Sequence, residues 1–141
     1  MDDLTVEQII AFHEQVMKNE GGDTRLFSEA NLHQMVFLAN RIEGVFKRAA
    51  LAYFCLVAYP AFRDGNSRTA RLVAEMILNQ NGYTLEDGDD GMNGLVKGIA
   101  LFVVEQADVE EWLRSHADKN VNSDILSLKG KVPDSRIIEG I

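Results

Sequence analysis

Apolar residues recur at spacings of three and four along most of the chain, which is the period of an amphipathic helix. Val6, Ile9, Ile10, His13, Val16 and Met17 form the first such stripe. Thr5, with Gln8 three residues on, supplies the residue pair of a capping box at its start. Residues 19–23, Asn-Glu-Gly-Gly-Asp, break the pattern. His13 lies on the apolar face and reads as a hydrogen-bonded core histidine rather than a catalytic group. Residues 24–32 form a loop leading into a second helix, with Ser28 as N-cap and Glu29 favourable in the first turn. That helix carries Leu32, Val36, Phe37 and Leu38 and runs to about Arg41.

Residues 41–59 predict a longer helix with Phe46, Ala49, Ala50, Tyr53, Phe54 and Val57 among its apolar positions. It is apolar nearly all round towards its end, the mark of a central, buried helix. Gly44 marks its start or a break before it. Pro60 stops it, because proline has no N–H to continue the ladder. A new helix is expected from about Arg68, with Leu72, Val73, Met76, Ile77 and Leu78 on its apolar side and Asn81-Gly82 as its left-handed cap. Residues 85–91 are acidic but lack the ligand spacing and terminal glutamate of an EF-hand, so they read as a solvated loop. Residues 92–106 read as a glycine-weakened helix. Residues 108–120 read as a short one, capped by Asp108 with Glu111 and anchored by Trp112 and Leu113. Strand signals are weak and scattered. The expectation is an all-α bundle of about six helices in residues 1–120, followed by a tail over 121–141 with little periodicity.

Composition narrows this picture. A length of 141 residues fits one domain with a proper core, and 46% hydrophobic with 26% charged residues is ordinary for a soluble globular chain. No apolar run reaches the length of a membrane span, and the acidic N-terminus lacks the pattern of a signal peptide. The single cysteine, Cys55, forms no internal disulfide and suggests a reducing, cytoplasmic setting. It sits in an apolar run and reads as a buried, inert thiol. A net charge of −8 argues against nucleic acid or an anionic membrane as partner. Any phosphate site must therefore be local and built from few groups.

One stretch supplies those groups: residues 58–71, AYPAFRDGNSRTAR. A glycine-containing turn that opens a helix presents free backbone N–H groups, and the helix dipole adds partial positive charge there. Gly65, Asn66 and Ser67 form the concave surface, and Arg68 and Arg71, three apart, share a face. Two guanidinium forks beside a helix N-terminus make a phosphate clamp. Asp64 disfavours a bare anion but makes sense if it holds Mg²⁺ bridging phosphate oxygens. Phe62 points inwards and pins the turn. The same residues also suit a plain Asp-Gly-Asn turn followed by two surface ion pairs, and spacing alone leaves both readings open.

At these residues the chain resembles the Fic/Doc (Fido) family, whose pattern is H-x-F-x-(D/E)-G-N-(G/K)-R, often with a second arginine three residues on. Phe62, Asp64, Gly65, Asn66, Arg68 and Arg71 match. The likeness extends over roughly residues 4–118 and is of the Doc, or death-on-curing, type. It implies an all-α fold around a central helix–motif–helix unit. It also implies transfer of AMP, another nucleotide group or phosphate to a target-protein hydroxyl, with ATP and Mg²⁺ as cofactors. By the same resemblance Asp64 binds Mg²⁺, Gly65, Asn66 and Ser67 cradle phosphates, Arg68 holds phosphate charge, and Arg71 reaches the terminal phosphate. Leu26 and Phe27 fall at the flap that aligns the target peptide. In the tail, Ser135 and Glu139 fit the family's inhibitory pattern (S/T)-x-x-x-E-(G/N), in which Glu139 pairs with Arg71.

Two positions depart from the pattern. The family's general-base histidine falls on Pro60, which has no side-chain proton acceptor. The neighbouring Tyr59 is a weak substitute, since tyrosine has an unperturbed pKa of about 10 and the register would need an inserted residue. Ser67 matches neither the lysine of Doc toxins nor the glycine of adenylylating Fic enzymes. The expectation is a degenerate family member that keeps the nucleotide or phosphate loop and transfers little or nothing, with a target protein or an antitoxin as partner. The alternatives are an active adenylyltransferase or kinase with an unusual base, and a non-catalytic helical interaction module.

Overall fold

The computed structural model describes residues 2–86 and 89–120, with 89 and 90 as backbone only. Six helices are found among them: α1 Val6–Glu20, α2 Glu29–Arg41, α3 Val45–Ala58, α4 Asn66–Gln80, α5 Asp89–Ala100 and α6 Gln106–His116. The helical expectation holds, and the termini show why. Thr5 and Gln8 close the capping box on α1, and the Ser28 hydroxyl accepts from Asn31 N–H at the head of α2.

The apolar face of α3 organises the core. Phe46, Ala49, Ala50, Leu51, Ala52, Tyr53 and Leu56 are all buried, and α3 packs against α2, α4, α5 and α6. One cluster of buried residues runs from Leu4 to Leu113 and takes members from every helix. Burying a side chain such as Leu56 or Leu113 contributes about 1.5–3 kcal/mol each.

Several boundaries differ from the sequence reading. Helix α4 opens at Asn66 rather than near Arg68, because Gly65 takes the left-handed conformation and becomes the N-cap. Residues 89–91, expected in a solvated loop, belong to α5, and that helix ends at Ala100, short of residue 106. Helix α6 starts at Gln106 with a capping box of Glu105 and Asp108 in place of Asp108 and Glu111. It stops at His116 because the chain turns into a strand.

Two strands were not expected at all. Tyr83–Leu85 (β1) pairs antiparallel with Ala117–Lys119 (β2). On α2, Phe37 and Leu38 stay exposed, while Met35 and Ala39 join Leu32 in the core. Trp112 is half-buried and stacks on His116, leaving Leu113 as the buried anchor. Cys55 is free and half-buried, and burial pushes its thiol pKa up, which fits an inert thiol. No described helix is long and apolar enough to cross a membrane.

Candidate functional site

The turn between α3 and α4 is held by hydrogen bonds from three directions. Phe27 N–H and Ser28 N–H both donate to the Ala61 carbonyl, at 2.7 and 3.0 Å. Asn31 Nδ2 donates to the Pro60 carbonyl at 3.0 Å. Within the turn, Asn66 Oδ1 accepts from Phe62 N–H at 3.0 Å and Asn66 Nδ2 donates to the Phe62 carbonyl at 2.7 Å. Asn66 therefore spends its side chain on closing the turn. What it offers a phosphate is its backbone N–H.

Phe62 is 2% exposed, as an inward anchor should be. Its ring lies parallel to His13, with centroids 3.7 Å apart and planes 6° apart. His13 is buried, and its Nε2–H donates to the Asp64 carbonyl at 2.8 Å. This is the hydrogen-bonded core histidine expected from its place on α1, and it is bonded to the motif itself. The segment carrying Leu26 and Phe27 also reaches the turn. Leu26 bridges Phe62, and Arg63 N–H donates to the Arg25 carbonyl at 3.1 Å.

Asp64 is exposed, and its Oδ2 accepts Asp23 N–H at 2.8 Å. Asp23 in turn is gripped by Arg25 through Nε at 2.9 Å and a terminal nitrogen at 2.7 Å. That hydrogen bond to the Arg25 guanidinium holds the Asp23 carboxyl well below the usual carboxylate range. Among the described residues no group of three or more His, Cys, Asp or Glu is placed to hold a metal. Asp64 places an exposed carboxylate on the turn. That suits Mg²⁺, which keeps several waters and completes its shell with substrate phosphates rather than a protein cage.

The head of α4 presents groups chemically suited to an anion. Gly65 caps it at φ 82 and ψ 14, and no side chain caps the helix. The N–H groups of the first turn have no intrahelical partner and are left for water or a ligand. Ser67, Arg68 and Arg71 line a cavity of about 140 Å³ together with Tyr53, Met92, Asn93 and Val96. Burial pushes the Tyr53 pKa up to about 12, so its hydroxyl stays protonated and donates to the Met92 carbonyl at 3.3 Å.

Arg68 and Arg71 also line a second cavity of about 360 Å³, with Glu20 and Glu75 on its walls. Both arginines meet carboxylates there. Arg68 Nε lies 2.8 Å from Glu20 Oε2, and Arg71 Nε lies 3.1 Å from Glu75 Oε2. The Arg71 pair has i,i+4 spacing and was readable from the sequence. Glu20, at the far end of α1, carried no such signal. Tyr59 is exposed and its ring packs edge-on against Phe54. Ser135 and Glu139 lie outside the described residues.

The family model that matches is the Fic/DOC family, over residues 3–78. That is more than half of the 141-residue chain and spans every element from α1 into α4. The chain belongs to the Fic/DOC family. The match stops inside α4, short of the 4–118 span suggested by sequence likeness. The Fic/DOC segment thus contains the whole turn, its α1 support and both arginines, while α5 and the β1–β2 ribbon fall outside it. No match is found among curated proteins.

Proposed function

We propose that this Fic/DOC protein binds a Mg²⁺-nucleotide, ATP in the first instance, at the head of α4 and transfers AMP or phosphate to protein hydroxyls weakly or not at all. The observation that carries the reading is the uncapped, glycine-led start of α4, with Arg68 and Arg71 beside the same cavities. The first-turn N–H groups and two guanidiniums are suited to phosphate oxygens. Asp64 would hold the metal, which supplies charge neutralisation between phosphate oxygens. The weak or missing transfer follows from Pro60, which stands where the family places its general base and has no atom to take the proton. A target protein or an antitoxin remains the proposed partner, and a reducing, cytoplasmic setting the proposed location, with Cys55 free.

Calorimetric titration with ATP and Mg²⁺ tests the binding claim. Wild type should bind saturably, and Arg68→Ala should lose about 10–100-fold in affinity, the worth of one or two charge-assisted hydrogen bonds. Unchanged affinity in that variant would remove Arg68 from the site. The carboxylate on Arg68 sets a second expectation. Both side chains of the Arg68–Glu20 pair are well exposed, at 59% and 38%, so the pair is worth about 0–1 kcal/mol. Glu20→Gln should therefore tighten ATP binding by up to about five-fold, because the phosphate no longer has to displace a carboxylate. Weaker binding in Glu20→Gln would mean that Glu20 orients Arg68 instead of competing for it.

A second reading, a non-catalytic interaction module, has one observation in its favour. Leu101, Phe102 and Val103 are 62%, 92% and 71% exposed, and Phe102 holds φ 62, a left-handed conformation costly for an aromatic residue. The same titration separates the two readings, since an interaction module gives no saturable heat with ATP.

A further inference from the structure

Asp64 is fixed at both ends of the residue. Its carboxylate accepts Asp23 N–H, and its carbonyl accepts His13 Nε2–H, each at 2.8 Å. The two supports differ in kind. Asp23 sits on the partly exposed loop after α1, whereas His13 is 3% exposed and lies flat against Phe62. A ring held by stacking and burial in a rigid helix has little freedom to follow the turn. The turn must instead follow the ring. Because a carbonyl only accepts, Nε2 carries the proton, and this bond fixes the orientation of the peptide plane between Asp64 and Gly65.

We infer that His13 is a positioning residue for the Asp64 carboxylate. It sets the backbone from which that carboxylate projects towards a divalent cation, and it does so through the carbonyl bond rather than by filling space. The inference rests on the proposed Mg²⁺-nucleotide site and deepens it, because it names the residue on another helix that prepares the metal-binding group. The physical reason is pre-organisation. A carboxylate already held in place loses less freedom on taking up a cation, and groups that orient a metal ligand tune affinity from behind it. A histidine that merely filled the core would act differently. Its loss would loosen the turn, the helix start and both arginines together.

The metal dependence of nucleotide binding separates these cases. ATP affinity is measured calorimetrically with Mg²⁺ and again in EDTA, and the ratio of the two dissociation constants isolates the contribution of the metal. His13→Phe keeps the stack on Phe62 and removes the donor. Its metal-free affinity should stay within about two-fold of wild type while the ratio falls about ten-fold, the scale expected when a group behind a metal ligand is lost. His13→Gln carries an amide N–H near the position of Nε2 and should keep most of the ratio. If His13→Phe does not fold, His13→Asn, whose amide is too short to reach the carbonyl, takes its place in the comparison with His13→Gln.

A wild-type ratio in the donor-free variant overturns the inference. So does equal weakening of both binding modes in all variants. If wild type itself binds ATP without any metal dependence, the assignment of Asp64 falls and the inference falls with it. That outcome is seen in wild type alone, and so is distinct from a failure of His13.

Discussion

Replacing Pro60 with histidine is expected to raise transfer of label from ATP to protein by about 10²–10⁴-fold over wild type, the range for restoring a general base. The variant should fold, because the turn does not depend on the proline ring. The Pro60 carbonyl accepts from Asn31, the Ala61 carbonyl accepts two N–H groups, and Asn66 brackets Phe62, and none of these bonds uses an atom that proline alone supplies. The stability change should stay within about 1 kcal/mol, the usual size of a proline effect felt mainly through the unfolded chain. ATP labelled on the α-phosphate reports AMP transfer, and ATP labelled on the γ-phosphate reports phosphate transfer. Incorporation into the chain itself or into added cell protein is the readout. The double variant with Arg68→Ala should return to background. A Pro60→His protein that binds ATP as wild type does and still transfers nothing would show that the missing base is not what limits the reaction.

Much of the fold was legible because its signals are local. The capping box at Thr5 and Gln8, the Ser28 cap and the stop at Pro60 each lie within four residues of the boundary they set. What escaped the sequence depends on contacts between distant segments. Tyr83–Leu85 and Ala117–Lys119 are three-residue strands, too short to show a period of two, and they exist because the ends of α4 and α6 bring them side by side. Glu105 is a rare N-cap residue, and the commoner cap type at Asp108 puts the expected cap three residues past the one observed. Met35 to Ala39 are five apolar residues in a row, and such a run on a helix does not say which of them face the core.

The candidate site divides in the same way. The residues of the turn were readable as a set, since Phe62 to Arg71 are contiguous and their types suit an anion. Their supports were not. Glu20, Asp23 and His13 lie more than forty residues before the motif positions they touch, and no pattern in the chain ties them to it. The structure also reassigns effort within the set. Asn66 serves the turn with its side chain, and Arg68 and Arg71 stand against carboxylates, so what the turn itself leaves open to an anion is its backbone N–H groups with charge close by. In the proposed site the conformation of the turn would therefore matter alongside the two arginines, because it sets where those N–H groups point.

Gly65 is where that dependence is largest, and Gly65→Ala is expected to destabilise the protein by about 2–5 kcal/mol. Two costs add. At φ 82 an alanine carries the strain of a left-handed residue, about 1–2 kcal/mol. Its Cβ would also stand 2.7 Å from Met17 Sδ and 3.4 Å from Val16, on the buried face of α1. Met17 is 5% exposed, and where its sulfur is forced to repack the cost is about 1–3 kcal/mol. Gly82→Ala supplies the control. It has φ 86 with nothing within 4 Å of the added carbon, so it carries the strain without the collision. For a chain of this length each kcal/mol lowers Tm by about 3–5 °C. Thermal unfolding of the two variants side by side therefore reads the contact between α1 and the turn directly, as the difference between them. Equal shifts would mean that Met17 yields freely and that α1 does not brace the motif. A larger shift for Gly65→Ala, with ATP binding lost and Gly82→Ala binding as wild type, would show that the turn is held from behind by the same helix face that carries His13.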